Sequence, residues 1–229
     1  MLETSLERSL SRMQLKYVDI FFLHGMIVPD HMCEGDKWTP WSLFVEEVRP
    51  AFELLVRQGR VGAWRITGIG EPITILGALV DNPKPAAVQV IANLLDSPGG
   101  LKHFDGPTRS REIIDTAALH GVGVCGIRAV QAGALTQGFD RTVTDNHPDM
   151  QDYIKAKPFR MLAEEIGETP SALAHRFSLT MRGISTVILG AKNREELHEC
   201  LQAESKGALA IPLFSRINSL MHPCGMHEE

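Results

Sequence analysis

One stretch constrains this chain more than any other: Tyr17-Val18-Asp19-Ile20-Phe21-Phe22-Leu23-His24-Gly25. It has the length and the aromatic, β-branched character of a strand buried on both faces, and it ends on a histidine and a glycine. His24 therefore falls at the expected C-terminal tip of the strand, where parallel α/β proteins place their chemistry. Before it, Leu2, Leu6, Leu10 and Met13 recur among charged and hydroxyl residues, the pattern of an amphipathic helix feeding the strand. After it, residues 26–40 carry Pro29, Asp30, Gly35 and Asp36, a composition that favours an irregular loop.

The helix–strand alternation then repeats. Residues 44, 48, 52 and 55 are apolar at helical spacing within 43–57, with Gly59 as the stop, and a short strand follows at 61–66. A helix is expected over 72–80, a strand over 86–92, a helix over 112–120 closed by Gly121, and a strand over 122–127. Thr169-Pro170 opens a helix lined by Leu173, Phe177 and Met181; a last strand is expected over 186–189 and a last helix over 193–203. About five strands bounded by helices make a run of βα units and a parallel sheet. Periodicity alone leaves an open doubly wound sheet and a (β/α)8 barrel equally available.

The 229 residues, 44% of them hydrophobic, suffice for one large domain spanning 1–229. A formal charge of -5 without a basic run offers no footprint for nucleic acid or for a membrane surface. No apolar stretch approaches the ~20 residues that span a bilayer. Cys33, Cys125, Cys200 and Cys224 lack metal or disulfide-framework spacing, which fits reduced thiols in the cytoplasm and no metal. The histidines of 222–227 match no zinc spacing, and a frayed terminus is the reading preferred there.

The stretch LETSLERSLSRMQLKYVDIFFLH resembles the helix and fourth strand of the aldo-keto reductase barrel. GRVGAWRITGIGE, VQVIANLLD, GVGVCGIRAVQAGALT and STVILGAKNREELHECL resemble the family's fifth to eighth strands in order. Each motif is weak by itself, but five in series are specific. The resemblance implies a partial (β/α)8 TIM-type barrel of about five parallel βα units. It also implies an NAD(P)-dependent oxidoreductase that reduces an aldehyde or ketone, a small-molecule carbonyl substrate, with NADP or NAD as cofactor.

Carried over position by position, the resemblance makes His24 the histidine that helps polarise the carbonyl, where hydride delivery leaves charge on oxygen. It puts Thr67 at the serine and Gly68 at the asparagine of the fifth-strand motif, and Gln89 where a side-chain amide stacks on the nicotinamide. Arg128 is a pyrophosphate clamp or a salt-bridged rim residue, and the resemblance favours the clamp, which makes it a cofactor-binding candidate. Gly190 and Lys192 precede a helix whose free N–H groups suit a phosphate, although Asn193 with Glu196 is also a capping box that needs no ligand. Glu196 would repel a 2'-phosphate, which keeps NAD level with NADP, and Lys192 offsets that repulsion. Glu199 matches a residue that meets the adenine amino group, while Cys200 replaces its usual asparagine companion.

The family's aspartate, tyrosine and lysine belong to three βα units for which this sequence has no counterpart. Tyr17 and Tyr153 are its two tyrosines, and neither matches the proton donor. The expectation is an N-terminally truncated reading of a longer reductase, impaired in carbonyl reduction. Open edges at strands 17–23 and 186–189 would then invite a homo-oligomer or a partner chain. The alternative is a non-redox nucleotide- or partner-binding barrel protein, with a lyase or isomerase using His24 as base behind it. The substrate-choosing loops, 26–40 and 136–157, carry no interpretable pattern.

Overall fold

In the computed structural model, which describes residues 2–33 and 38–221, the first amphipathic repeat forms helix α1 (Leu2–Met13). Leu6 and Leu10 join Leu55 and Val61 in one buried cluster, with Val18, Phe21 and Val56 packed against it. Burial of about 1.5–3 kcal/mol per such side chain, more than intrinsic propensity, holds so short a helix. Strand β1 (Val18–Val28) follows and departs from expectation in two ways. It runs three residues past Gly25, because the apolar Ile27 and Val28 continue the ladder and pair with Thr39 and Pro40 of β2 (Thr39–Pro40). It is also not buried on both faces: Asp19, Ile20 and His24 are exposed. His24 therefore lies inside the strand rather than at its tip.

Helix α2 (Trp41–Leu43), a π-helical turn (Phe44–Val48) and α3 (Arg49–Arg57) form one continuous helix over 41–57. The extra residue of the wider turn rotates α3 relative to α2, so that Arg49 is buried where simple periodicity expects Val48. The Arg49 guanidinium lies 5.0 Å from the Phe44 ring centroid and donates to the Asn82 carbonyl at 3.2 Å. Gly59, at φ +67°, turns the chain into β3 (Val61–Thr67). Phe52 stacks on Trp64 at 5.4 Å, and Trp64 Nε1 donates to Glu53 at 2.6 Å, so this face of β3 is sealed by α3. Helix α4 (Pro72–Val80) and strand β4 (Ala87–Ile91) complete the next unit, and α5 (Ser110–Leu119) leads to β5 (Gly123–Ile127). The strand pairings β1–β2, β1–β3 and β3–β4 are all parallel.

The chain divides into two compact units, Met1–Val90 with His103–Val124, and Ile91–Lys102 with Cys125–Glu229. In the second, β5 pairs in parallel with β6 (Thr186–Val187), the Cys125 and Gly126 positions facing Thr186 and Val187. β6 is shorter than the expected 186–189, although the Ile188 N–H still donates to the Gly126 carbonyl at 2.8 Å. Helices α6 (Pro148–Lys155), α7 (Lys157–Glu165), α8 (Pro170–Thr180), α9 (Arg194–Ser205) and α10 (Ile211–Met221) surround this pair in sequence. Phe159, Leu162, Leu173 and Phe177 are buried, and Phe177 stacks on Phe214 of α10 at 4.8 Å. Thr169 caps α8, its hydroxyl accepting the Ala172 N–H at 3.2 Å.

Cys33, Cys125 and Cys200 are not joined in disulfides; Cys224 and the histidines of 222–227 lie outside the described residues. No helix among the described residues is long and apolar enough to cross a membrane.

Candidate functional site

In the first unit, the β1–β3–β4 register lines up Phe22 with Arg65 and Ala87, and Thr67 with Gln89. Side chains two apart on a strand share a face, so Phe22 and His24 of β1, Arg65 and Thr67 of β3 and Gln89 of β4 stand on one side of the sheet. Trp64 and Ile66 face the opposite side, with the buried aromatics. The ladder shifts register between Leu23 and Met26, so His24 sits where β1 stops matching β3 residue for residue. A bulge of this kind re-aims the side chain beside it. The exposed imidazole lies 6.1 Å from the Phe22 ring, over which the Arg65 guanidinium sits at 4.9 Å. Thr67 is buried, and its hydroxyl donates to the Leu23 carbonyl at 3.1 Å, tying β3 to the strand that carries His24. Gly68 has a steric reason to be glycine: a Cβ there would stand 2.7 Å from Val88 Cγ2 and 2.8 Å from the Gln89 carbonyl. Three candidates, His24, Thr67 and Gln89, thus share one sheet face.

Within the first unit, Tyr17 supplies no hydroxyl to that face. Tyr17 precedes β1, and its hydroxyl lies over Gly62, at the end of β3 away from Thr67. Tyr153 donates to the Gln137 carbonyl at 3.3 Å, and its ring is covered by the Arg160 guanidinium at 3.8 Å.

In the second unit, a cleft of about 370 Å³ is lined by residues that include Lys192, Glu196, Glu199, Cys200, His175 and Gly190. Five of the candidate positions or their neighbours therefore meet in one concavity, as small-molecule sites do. Asn193 Oδ1 accepts the Glu196 N–H at 2.8 Å, and the Glu196 carboxylate reaches back to the Lys192 N–H at 2.7 Å. This is the expected capping box, displaced by one residue at its second arm. It occupies one of the three N–H groups at the start of α9, and the helix rule leaves those of Arg194 and Glu195 outside the helix's own ladder. Lys192 Nζ forms an ion pair with Asp140, which raises the lysine pKa and lowers that of the carboxyl. Glu199 accepts a hydrogen bond from the Thr169 hydroxyl.

Arg128 forms an ion pair with Asp149. Held at φ +58°, it donates from Nε to Gln131 at 2.8 Å and from Nη2 to Asp149 at 3.1 Å. Burial pushes its pKa below the ordinary arginine value, Asp149 and Asp152 acting to raise it and Arg141 to lower it further. Asp149, on α6, also pairs with Arg141 and accepts the Gly100 N–H at 3.1 Å. Beneath this cluster Asn93, fully buried, donates to the Arg128 carbonyl at 3.2 Å and to that of Ser97 at 3.0 Å, and Gln131 donates to Asp152 at 2.7 Å. Residue type did not single out Asp149, Asn93 or Gln131. The local signal was His147-Pro148-Asp149, a helix start in which His147 Nδ1 accepts the Asp149 N–H at 3.1 Å.

Sequence reading also passed over the pairing of His175 with Cys200, whose Nε2 and Sγ stand 3.1 Å apart. Both side chains are buried within the second unit and both line the cleft. Burial lowers the His175 pKa and raises that of Cys200, with Glu199 opposing the first shift and adding to the second. Among the described residues no group of three or more His, Cys, Asp and Glu side chains is arranged to hold a metal.

The parallel βα units, with a histidine on the sheet face opposite the buried aromatics, define a parallel α/β protein. The family model of the aldo/keto reductase family matches residues 1–221, and the chain belongs to that family. It is 24% identical over 235 residues to an L-galactose dehydrogenase of Arabidopsis thaliana, covering 98% of this chain and 67% of that protein. It is 24% identical over 238 residues to a putative voltage-gated potassium channel subunit beta of Schizosaccharomyces pombe, covering 95% of this chain and 63% of that one. The aldo-keto reductase AKR11C1 from Bacillus halodurans, in its apo form, superposes with a TM-score of 0.71 at 22% identity, over 96% of this chain and 67% of that chain. The holo form gives 0.70, over 66% of its length. The chain thus spans about two thirds of the length of these relatives, and the structural likeness shows the fold.

Proposed function

We propose that this chain is an NAD(P)-dependent oxidoreductase of the aldo/keto reductase type, acting on an aldehyde or ketone. The observation that carries the reading is the convergence of Gly190, Lys192, Glu196 and Glu199 on one cleft at the start of α9. The donor set fits a dinucleotide diphosphate: two N–H groups at a helix N-terminus and the exposed Lys192 ammonium, which can turn from Asp140 to a phosphate. A further 2'-phosphate would meet Glu195 and Glu196 in the first turn of α9 with Lys192 as the compensating cation. NAD is therefore proposed to bind at least as well as NADP.

When bound, the nicotinamide supplies the hydride. His24 would donate a hydrogen bond to the carbonyl oxygen as negative charge develops there. The Gln89 amide, on the same sheet face, would support the nicotinamide ring, and Thr67 holds the strand spacing through Leu23. Arg128 acts through Asp149 and Gln131 to fix the 127–135 turn. Reduction by this chain is proposed to be impaired, because Tyr17, whose hydroxyl lies over Gly62, offers no proton to that face. A reducing cytoplasm suits cysteines that are not joined in disulfides. A second chain would pair along β1, where Ile20–Leu23 has β3 on one side and, among the described residues, no strand on the other.

The test is calorimetric titration of the purified chain with NADH and NADPH, followed by NADH oxidation with a panel of aldehydes and ketones. Saturable binding of NADH, no weaker than that of NADPH, with turnover near background is the expected result. Absence of binding by either dinucleotide overturns the cofactor reading, and rapid turnover overturns the impairment.

A further inference from the structure

The second-unit cleft contains a nucleophile that carbonyl reduction does not use. Cys200 Sγ on α9 and His175 Nε2 on α8 are 3.1 Å apart, and both residues line the concavity. A thiol beside an imidazole at that distance is the arrangement in which the ring can take the thiol proton as sulfur attacks. We propose that Cys200 and His175 form a covalent-modification site for soft carbon electrophiles, the α,β-unsaturated carbonyl compounds.

The step balances without an oxidant or reductant. A sulfur lone pair forms the S–C bond to the β-carbon, and the C=C π pair moves onto the α-carbon and carbonyl oxygen. The proton passes from sulfur to His175 Nε2 and from there to the α-carbon. The product is a thioether, and His175 returns to its neutral form.

The surroundings decide how such a pair behaves. Cys200 and His175 are largely screened from bulk water, and burial favours the thiol and the neutral imidazole over the charged pair. The carboxylates of Glu196 and Glu199 on α9 act in the same sense on the thiol, while Lys192, Asp140 and Arg141 form the charged remainder of the wall. Sulfur therefore waits as a thiol, and deprotonation accompanies attack on a molecule already in the cleft. An exposed thiolate reacts with whatever arrives; this pair selects for what the cleft admits. A covalent adduct there would also fill the space assigned to the dinucleotide, a consequence that rests on the cofactor reading.

The experiment is site-resolved mass spectrometry of the intact chain treated with N-ethylmaleimide between pH 6 and pH 9, with N-acetylcysteine in the same mixture as reference. The reference rate climbs about tenfold per pH unit toward a thiol pKa of about 8.5. Cys200 is expected to react at a rate that changes little above pH 7, because the neutral imidazole is already present. His175→Gln should slow Cys200 about a hundredfold, the lower end of what a positioned general base contributes. A circular dichroism melt of that variant checks its fold, and the wild-type pH profile needs no variant. A Cys200 rate that follows the reference in pH, or no labelling of Cys200 at all, overturns the proposal. NADH protection of a His175-dependent Cys200 supports both readings; unprotected but His175-dependent labelling supports the modification site and counts against the dinucleotide in this cleft.

Discussion

Asp149 is the residue whose loss should be felt most in the second unit. Its side chain is 3% exposed and faces two guanidinium groups, Arg128 at 18% and Arg141 at 42% exposure. Asp149→Asn keeps the shape and removes the charge, and it places an amide donor where both arginines need an acceptor. Breaking a buried ion pair from one side costs roughly 3–5 kcal/mol, and the residual exposure of Arg128 keeps its share near the lower end. Arg141 can turn into water and adds no more than a surface pair's ~0.2–1 kcal/mol. The expected loss is about 3 kcal/mol, or roughly 6–12 °C in Tm for a chain of this size. Thermal melts and urea titrations at pH 7 would measure it. In an Arg128→Met background the same change should cost about 1 kcal/mol or less, since the buried cation is gone. A shift below about 2 °C in the first experiment, or an equal cost in both backgrounds, would refute the assignment of Asp149 as the anchor of the Arg128 turn.

Other consequences are independent of that cluster. Phe52→Ala removes a fully buried ring that stacks on Trp64, and should cost about 3–5 kcal/mol in urea unfolding. Lys192→Met should weaken NADH binding two- to fivefold, the worth of an exposed charge of about 0.5–1 kcal/mol, whereas Asp140→Asn, which releases Lys192, should tighten it. Calorimetry on the two variants would expose a wrong sign at once. His175 has a folded pKa below its ordinary 6.5, so its neutral form contributes stability that is present above about pH 6.5 and is lost as pH falls toward the folded value. His175→Gln should therefore flatten the decline of Tm between pH 7.5 and pH 5.5 relative to the parent chain, and parallel profiles would contradict the burial argument.

Much of the fold was legible in the sequence because its elements are strongly periodic. The expected helices at 2–13 and 72–80 form with those bounds, and the strand expected at 61–66 closes one residue later. Where tertiary context overrode pattern, the reading slipped. β1 outran its apolar run because Ile27 and Val28 found β2 to pair with, and Arg49 entered the core because a π-helical turn rotated α3. Helices α6 and α7 were hidden in a polar stretch whose starts are marked by Pro148 and Pro158 rather than by an apolar stripe. The candidate site divides in the same manner. His24, Thr67 and Gln89 were named through the resemblance to the family, and the pairing of β1, β3 and β4 puts them on one face. The Asp149–Arg128 and His175–Cys200 pairs join residues 21 and 25 positions apart on different elements, which no local pattern encodes.

Hydrogen–deuterium exchange of the chain with and without saturating NADH tests the central claim most directly. Occupation of the cleft predicts slower exchange of the amides at 190–197, the start of α9, and at 130–138, with little change along α1 and α3. Unchanged exchange at 190–197 under conditions where NADH demonstrably binds would contradict the assignment of this cleft to the cofactor.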